Sequence, residues 1–467
     1  MSDLNKSKEM KLVYEGSVKR LWQCPFDDDR LWFQFTDDYS IFDWGKMPDT
    51  IANKGRALAF LGAHFFETMA PATFWQELKD SKHLKRFGGD WLKKRFNHPV
   101  YQSLLSSGLT HHFRHLSNGK EAFEKTGIAT ADSAYMEVLK AEVPTPEYRK
   151  ILNHELYFYP HTSSQDKRYK RRLIPLEIVF RFGMPEGSSL TSRLQKNPAY
   201  LKELGLPATP TPGEWFPVPV IEFFTKLEPS DRLLSWTEAN QLSGLPGEAF
   251  EALLETTLDC SLALYHLFAD KGLELWDGKF EFVVEYPESE PGETLNEKNE
   301  RVNAEGEKIL PRILLADSIG PDELRLIYRG HHLSKELIRQ IYKDTSWASA
   351  LQKSKDLAKQ RLDSNFKRIC IEELKEQPAK LNDEERKIVD ALYGTLANHL
   401  RGAEVFPNHP TMDEFVDALD KAFSKNRENT KNGSPEDKQT HRKAPSQKIK
   451  TAIEQEKEIS VKSRGEK

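Results

Sequence analysis

The sequence predicts an α+β protein with an antiparallel N-terminal lobe and a larger second lobe of sheet and helix. Near the N-terminus, residues 11–36 contain short runs of strand-forming residues separated by turns. In residues 273–287, Phe280 and Phe282 alternate with polar neighbours, which is the two-residue period of a strand. Residues 248–272 instead repeat their apolar positions at the helical period and end at a glycine, which indicates a long amphipathic helix. Two further helices are predicted, at 333–361 and 383–402.

The chain of 467 residues is long enough for two or three domains with sizeable cores. We predict an N-terminal β-rich lobe over residues 1–175, with a helical insertion around 72–155. A C-terminal α+β lobe is predicted over 176–423, and it carries the candidate site. Residues 424–467 are rich in Lys, Glu, Asn, Ser and Gln with almost no apolar residues, so we predict a disordered charged tail.

Composition and charge exclude several classes of protein. The hydrophobic fraction is 38% and the charged fraction 30%, which is typical of a soluble protein with a charged surface. The net charge of −4 argues against a general binder of nucleic acid or of membrane surfaces. The three cysteines lie far apart in the sequence, the first ten residues lack the apolar core of a signal sequence, and no segment is long enough to span a bilayer. We therefore expect a cytoplasmic location.

An acid–base–acid row marks the strand predicted in residues 273–287. Because every second side chain of a strand points to the same face, Asp277, Lys279 and Glu281 are predicted to stand in one row. Carboxylates are oxygen ligands suited to a divalent cation, and the lysine between them can neutralise a phosphate. Taken alone, the row fits the solvated face of an edge strand equally well.

The next predicted strand adds a third acid to this row. Residues 311–317, PRILLAD, form an apolar run that ends on Asp317 and is followed at once by a turn. A polar connection over residues 289–308 joins it to the preceding strand. We predict that the two strands form a hairpin that brings Asp317 near Glu281.

Two further segments carry groups suited to phosphate. Gly16, Ser17 and Lys19 lie at a predicted turn between strands, and backbone N–H groups with a nearby lysine are common phosphate ligands. An ordinary hairpin turn is nevertheless the more frequent role of a Gly-Ser pair. Residues 183–190, GMPEGSSL, form a glycine-flanked turn with two hydroxyls after Arg181; the alternatives are a phosphate site and a plain loop beside an exposed arginine.

Six segments of the chain resemble the SAICAR synthetase family, the phosphoribosylaminoimidazole-succinocarboxamide synthases of purine biosynthesis. The segments follow the order found in the family and together cover most of residues 11–330. They are YEGSVKRLW (14–22), DDYSIFDWGKMPDTIANKG (37–55), IPLEIVFRFGMPEGSSL (174–190), EFFTKLEPSDR (222–232), GLELWDGKFEF (272–282) and ILLADSIGPDELR (313–325).

The resemblance implies an ATP-dependent ligase. Such an enzyme joins the carboxylate of carboxyaminoimidazole ribotide (CAIR) to the amino group of L-aspartate through an acyl-phosphate, and splits ATP to ADP and phosphate. ATP would be the co-substrate and Mg²⁺ the cofactor, and a homo-oligomer is compatible with the family. The resemblance also implies a kinase-like N-terminal lobe and an ATP-grasp-like second lobe, with ATP in the cleft between them.

The resemblance assigns roles to individual residues of this chain. The assigned residues are Gly16, Ser17, Lys19 and Lys226 for ATP; Ser40, Asp43, Arg181, Ser188 and Arg325 for the ribotide; Glu281 and Asp317 for magnesium; and Asp277, Lys279 and Arg325 for catalysis.

The chemistry of these residue types supports the same reaction independently. A carboxylate resists attack by an amine because oxide would have to leave, whereas phosphorylation first supplies a good leaving group. Phosphoryl transfer between anions needs cations held in line rather than a covalent nucleophile. The sequence offers acids, lysines and arginines at the motif positions, and it shows no obvious nucleophilic cysteine or serine elbow.

Three features depart from the common pattern of the family. Ser318 stands where many members have a second acid, so one metal ligand is missing or is replaced by Asp322 or a water molecule. The GMPEGSSL turn is one residue longer, and Ile327 stands where an aromatic residue is frequent. Two alternatives therefore stay open: a paralogous ATP-dependent carboxylate–amine ligase with another substrate, and a non-catalytic nucleotide-binding protein with a weakened metal site.

Overall fold

The computed structural model describes residues 10–118, 133–152, 154–159, 170–288, 291–297, 301–361, 363 and 365–431. Within these residues the protein is a mixture of helices and strands, as the sequence predicts for an α+β protein. Contacts between residues divide the chain into one large unit, Met1–Val416, and a short second unit, Asp417–Lys467. The candidate site belongs to the large unit.

The strands are β1 (Lys11–Glu15), β2 (Lys19–Gln23), β3 (Arg30–Phe35), β4 (Phe113–Ser117), β5 (Tyr135–Leu139), β6 (Glu147–Ile151), β7 (His154–Phe158), β8 (Arg171–Leu173), β9 (Leu176–Met184), β10 (Glu214–Thr225), β11 (Leu233–Leu234), β12 (Glu274–Glu285), β13 (Thr294–Leu295), β14 (Arg301–Val302), β15 (Arg312–Ala316), β16 (Leu324–Tyr328) and β17 (His331–His332). The helices are α1 (Lys54–Met69), α2 (Ala72–Leu78), α3 (Gly89–Phe96), α4 (Pro99–Ser107), α5 (Ser189–Lys196), α6 (Tyr200–Glu203), α7 (Trp236–Ser243), α8 (Gly247–Asp270), α9 (Lys335–Tyr342), α10 (Ser346–Arg361), α11 (Phe366–Arg368), α12 (Asp383–Arg401) and α13 (Met412–Lys431). A 3-10 helix (Lys82–Phe87) precedes α3, and a π-helical turn (Ile369–Glu373) follows α11.

The first sheet has five antiparallel strands in the order β1-β2-β3-β5-β4. The predicted insertion around 72–155 is helical only as far as α4, because β4 and β5 complete this sheet and β6 pairs with β7. A buried charged residue is the reason that the sequence pattern did not predict β5. Glu137 on β5 is buried and accepts a hydrogen bond from Trp32 Nε1 at 2.8 Å, so it interrupts the alternation of apolar and polar residues that predicts a strand.

The second sheet has eight strands, and β12 lies at its centre. β12 pairs antiparallel with β9 and β16 along its first half and with β8 and β15 along its second half. The hairpin predicted between β12 and the strand ending at Asp317 is confirmed by the pairing with β15. Gly278 permits the close packing in the middle of β12, because a Cβ atom there would lie 2.4 Å from Leu324 and 2.6 Å from Phe180.

Helices cover the sheets and position the segments around the site. The amphipathic helix predicted at 248–272 is α8, which packs on β12, β9 and β10. α1 packs on β3 and on α12. The helix predicted over 333–361 is two helices, α9 and α10, because the chain turns at 343–345 where Thr345 caps the second helix through its Oγ1.

The structure bears on the predicted C-terminal tail and on whether a helix could span a membrane. The predicted disordered tail begins at 424, yet α13 continues to Lys431; residues 432–467 lie outside the described residues. Across the described ranges, every helix is too short or too polar to cross a bilayer.

Candidate functional site

The central strand β12 presents its polar and apolar side chains to opposite faces, as predicted. Phe280 stacks on Phe180 with the ring centroids 4.8 Å apart, inside the core. On the other face, Asp277, Lys279 and Glu281 contact charged partners from the neighbouring strands. The row is therefore a paired, largely buried cluster and not the solvated face of an edge strand.

Two lysines and two glutamates alternate at one end of this row. Lys279 Nζ lies 2.8 Å from Glu177 and 3.6 Å from Glu281. Lys226 Nζ, directly after β10, lies 2.5 Å from Glu281 and 3.5 Å from Glu177. Each charge thus has two partners of opposite sign, which offsets the cost of taking it out of water.

Asp317 joins this cluster from the end of β15. Ala316 pairs with Glu281 across the strands, so the next residue along β15 lies beside that glutamate. The Asp317 carboxylate pairs with Lys19 on β2. The backbone carbonyl of Asp317 lies 2.8 Å from Nε2 of His112, and burial lowers the pKa of His112 to about 3, so this ring is neutral and donates the hydrogen bond.

Glu281 and Asp317, which are neighbours in this cluster, have opposite pKa shifts. Burial, followed by repulsion from Asp317, raises the pKa of Glu281 to about 7. Burial would also raise the pKa of Asp317, but Lys19, Lys226 and Lys279 together lower it below its ordinary value. Burial similarly opposes the charge of Lys226, yet Glu281 and Asp317 raise its pKa. Near neutral pH, Asp317 is ionised, and Glu281 is the carboxyl that holds or releases a proton.

A second cluster contains Arg181, Asp277 and Arg325. Arg181 is buried and donates to Asp277 Oδ2 at 2.9 Å while it also pairs with Glu222. Arg325 Nε lies 3.6 Å from Asp277 Oδ1. Nη1 of Arg325 is buried, and it has no hydrogen-bond partner within the described part of the chain. An anion in the adjoining cleft would supply that partner.

The predicted turn residues have local structural roles. Gly16 and Ser17 connect β1 to β2, and the N–H of Gly16 donates to the carbonyl of Lys19 at 2.8 Å, as in a β-hairpin. Ser188 is buried and caps α5 by accepting a hydrogen bond from the N–H of Leu190 at 3.3 Å. These contacts fit the plain-turn interpretation, and neither excludes a phosphate contact.

The loop between β3 and α1 brings one of its two predicted residues to the cleft. Asp43 lies at the rim with an exposed side chain, and its carboxylate pairs with Lys355 of α10 at 2.8 Å. Ser40 is half-buried in the same loop and does not line that cleft.

These groups surround a cleft of about 360 Å³. Its lining residues are Asp43, Glu177, Asp231, Asp277, Lys279, Asp322, Glu323, Leu324, Arg325, Ser334, Lys335, Glu336 and Arg339. The lining is polar and carries both signs of charge, which suits an anionic, hydrogen-bonding small molecule more than an apolar one.

Sequence reasoning missed several residues of this cleft. Lys335 and Arg339 lie one turn apart on α9. Their four-residue spacing, which places two basic side chains on one face of a helix, is the sequence feature that could have identified them. Burial lowers the pKa of Lys335, although Asp322 and Glu323 oppose that shift. Asp231 lay within a matching segment but received no role; burial, followed by Glu177, raises its pKa to about 6.

The carboxylates of the site suit a metal ion that is shared with a substrate. Among the residues that the structure describes, no three His, Cys, Asp or Glu side chains converge as a metal-binding group. Glu281 and Asp317 offer two adjacent carboxylates, and magnesium commonly takes one or two protein carboxylates with phosphate and water oxygens completing its shell. The oxygens of Asp322, the alternative to the acid absent at Ser318, contact Lys54 at 2.8 Å and Tyr393 at 2.5 Å.

An α+β fold with lysines, arginines and paired carboxylates around a polar cleft is typical of enzymes that act on phosphorylated, anionic substrates. The family model described as SAICAR synthetase matches residues 12–88 and 117–290 of this chain. The chain belongs to the SAICAR synthetase family.

Two relatives and one solved structure illustrate what the chain is similar to. A protein of Archaeoglobus fulgidus, provisionally named phosphoribosylaminoimidazole-succinocarboxamide synthase, is 29% identical over 388 residues, or 83% of this chain and 92% of the relative. The synthase of that name from Thermoplasma acidophilum is 26% identical, over 74% of this chain and 88% of the relative. A Saccharomyces cerevisiae SAICAR synthase complexed with SAICAR is similar with a TM-score of 0.47, 18% identity, and coverage of 86% and 98% of the two chains.

Proposed function

We propose that the protein is an ATP-dependent ligase that joins the carboxylate of CAIR to the amino group of L-aspartate to give SAICAR in purine biosynthesis. Family membership supports this activity. Two relatives that are named as the synthase support it as well, because the similarity extends over most of their length. The observation on which the proposal chiefly rests is the cluster in which Glu281, Asp317 and three lysines meet beside the cleft. That set of charges suits phosphoryl transfer between anions.

The proposed sites for ATP and magnesium lie at the same cluster. Lys19 and Lys226 would neutralise the phosphates, with the Gly16–Ser17 turn above them. Glu281 and Asp317 would hold Mg²⁺, which would supply positive charge to offset the charge that develops during transfer. We further propose that ATP occupies a cleft between a kinase-like N-terminal lobe (1–175) and an ATP-grasp-like second lobe (176–423).

The ribotide and aspartate would occupy the polar cleft next to this cluster. Nη1 of Arg325, which has no hydrogen-bond partner among the described residues, would contact an anionic group of the ribotide, and Arg181 would orient Asp277 toward it. Lys279, which bridges the two glutamates, would lie between the carboxylate that is phosphorylated and the nucleotide. Ser40, Asp43 and Ser188 would complete the ribotide site.

A location in the cytoplasm fits the three cysteines, which are buried and form no disulfide.

A coupled ADP-release assay with CAIR, L-aspartate and ATP tests the proposal. We expect ADP release at millimolar magnesium that depends on both CAIR and aspartate. Release with a different amine, found with a panel of amino acids, would identify the paralogous ligase instead. Nucleotide binding that responds little to magnesium, without turnover, would identify the non-catalytic alternative. No aspartate-dependent release would contradict the assignment.

The variant Glu281→Ala tests whether the proposed magnesium site is needed for turnover. We expect this variant to lose turnover while keeping its fold, because the proposed magnesium ion loses one of its two protein carboxylates. Circular dichroism measured beside the assay separates loss of activity from unfolding.

A homo-oligomer stays a prediction for this protein. Size-exclusion chromatography with light scattering measures the oligomeric state.

A further inference from the structure

The loop between β3 and α1 is fastened firmly at its base. At the base, the N–H of Ile51 donates to the carbonyl of Asp37 at 2.8 Å. Asp49 is buried and accepts from the N–H of Leu381 at 2.6 Å and from Arg386 at 2.5 Å. These contacts tie the base of the loop to α12 and to the segment before it.

The tip of the same loop is held in another way. Phe42 and Asp43 both have positive φ angles, 53° and 62°, a conformation that costs free energy for residues other than glycine. Lys355 of α10 donates to the carbonyl of Phe42 at 2.9 Å and to Asp43 Oδ2 at 2.8 Å. The ammonium also lies 5.2 Å from the ring centroid of Phe366. One side chain therefore bonds both residues of the strained pair.

Aromatic packing gives the tip a second contact with α10. Trp347, which is buried near the start of α10, meets Trp44 edge-on with the ring centroids 5.4 Å apart and lies 6.1 Å from Phe42. A lysine of the next helix also reaches this tip, because a methyl group on Gly45 would lie 3.1 Å from Lys367 Nζ. The tip thus rests on α10 and α11, which lie beyond residue 290, where the match to the family model ends.

We propose that Lys355 is a positioning residue that holds the loop tip closed and keeps Asp43 at the rim of the substrate cleft. Its partner Asp43 is exposed to water, whereas Asp49 at the base is buried, so the tip is the part of the loop that opens when the lysine is lost. The consequence for turnover rests on the proposed function, whereas the consequence for loop opening does not.

Amide hydrogen exchange in the absence of ligands tests the proposal without relying on activity. Two internal hydrogen bonds report on the tip: the N–H of Trp44 to the carbonyl of Ile41 and the N–H of Met47 to the carbonyl of Tyr39, each 3.0 Å long. In Lys355→Met we expect both amides to exchange about fivefold faster, because the two partly exposed hydrogen bonds from Lys355 to Phe42 and Asp43 are lost. The amide of Ile51, at the base, should keep its wild-type rate.

Two further variants control the exchange experiment. Lys355→Arg retains a cation and should restore near wild-type protection at the tip, whereas Lys353→Met removes an exposed lysine of the same helix and should change nothing. Unchanged exchange at Trp44 and Met47 in Lys355→Met overturns the proposal. Equal acceleration at Ile51 also overturns it, because that result indicates general loosening of the fold.

The kinetic experiment extends the test to catalysis. If the wild-type enzyme shows aspartate-dependent ADP release, Lys355→Met should raise the KM for the ribotide about three- to tenfold and leave kcat within about twofold, as expected when a binding loop is less often closed. A fall in kcat with unchanged KM would overturn the positioning role. If the wild-type enzyme releases no ADP, the proposed function fails, and the exchange result still decides whether Lys355 holds the tip.

Discussion

Among single residues, Glu281 shows most clearly how neighbouring groups control the protonation of a carboxyl group in the site. It is buried and has Asp317 beside it, and these two influences raise its pKa to about 7, whereas Asp317 stays ionised because three lysines surround it. A divalent cation at this place would replace a proton on Glu281, since a metal binds the ionised carboxylate. The neighbouring charges thus prepare one carboxylate to exchange a proton for a metal ion near neutral pH.

This pKa shift predicts how the stability of the protein depends on pH. The pKa of Glu281 is about 7 in the folded protein and near its ordinary value of 4.5 in the unfolded chain, so the folded state binds more protons between these values. The contribution of Glu281 is present below pH 4.5 and is lost as the pH rises toward 7. Relative to Glu281→Gln, we expect the wild-type free energy of unfolding to fall by about 3 kcal/mol between pH 4.5 and 8.

Urea unfolding of both proteins at several pH values measures this difference. Glu186→Gln, which removes an exposed glutamate from the turn before α5, serves as the control and should follow the wild-type protein. A constant difference between wild type and Glu281→Gln across this pH range would contradict the raised pKa.

Among the secondary structure elements, the junction of α1, α12 and the turn before β16 depends on one buried ion pair. Lys54, the first residue of α1, is fully buried, and its Nζ lies 2.8 Å from Asp322 Oδ2. The hydroxyl of Tyr393 on α12 donates to the other oxygen of Asp322 at 2.5 Å. Lys54, followed by Lys335, lowers the pKa of Asp322 to about 2 against the effect of burial. The carboxylate is therefore charged and fully paired.

Lys54→Met should destabilise the protein by about 3–5 kcal/mol, because it leaves the buried charge of Asp322 without its main partner. The double variant Lys54→Met/Asp322→Asn should recover part of this loss, since the uncompensated charge is then removed. Urea unfolding measures both values. Lys170→Met breaks a pair with Glu288 in which both side chains are exposed, and it should cost less than about 1 kcal/mol. Equal losses in the Lys170 and Lys54 variants would contradict the importance of burial.

The elements also show how far sequence reasoning extends. The apolar pattern was sufficient for β12, β15 and α8, because β12 and α8 follow one period over many positions and β15 is a continuous apolar run. It failed for β4 and β5, where short strands carry a buried glutamate, and it merged α9 with α10 because the turn between them has no glycine or proline. At the site, two successive strands joined by a polar connection were sufficient to predict the pairing that brings Asp317 near Glu281. Sequence reasoning missed Lys335 and Arg339, because their approach depends on tertiary packing of α9.

At the scale of the whole molecule, the proposed nucleotide site lies where the two sheets meet. Their backbones join beside this site: His111 forms a bridge with Leu315, and the N–H of His112 donates to the carbonyl of Leu315 at 3.0 Å. The ion pair of Lys19, on the first sheet, with Asp317, at the end of a strand of the second, lies next to this junction. A nucleotide with magnesium between these two side chains would contact both sheets at once.

This position predicts how nucleotide affinity responds to each partner. Lys19→Met should weaken ATP binding about tenfold to one hundredfold with or without magnesium, because a charge-assisted contact to phosphate is lost. Asp317→Asn should weaken binding mainly when magnesium is present, since its proposed role is to hold the metal. Isothermal titration with a non-hydrolysable ATP analogue, with and without magnesium, separates the two effects. Lys11→Met, on the exposed strand β1, should bind as wild type does. Wild-type affinity in Lys19→Met, or an Asp317→Asn defect that is independent of magnesium, would show that the nucleotide does not bind between the sheets.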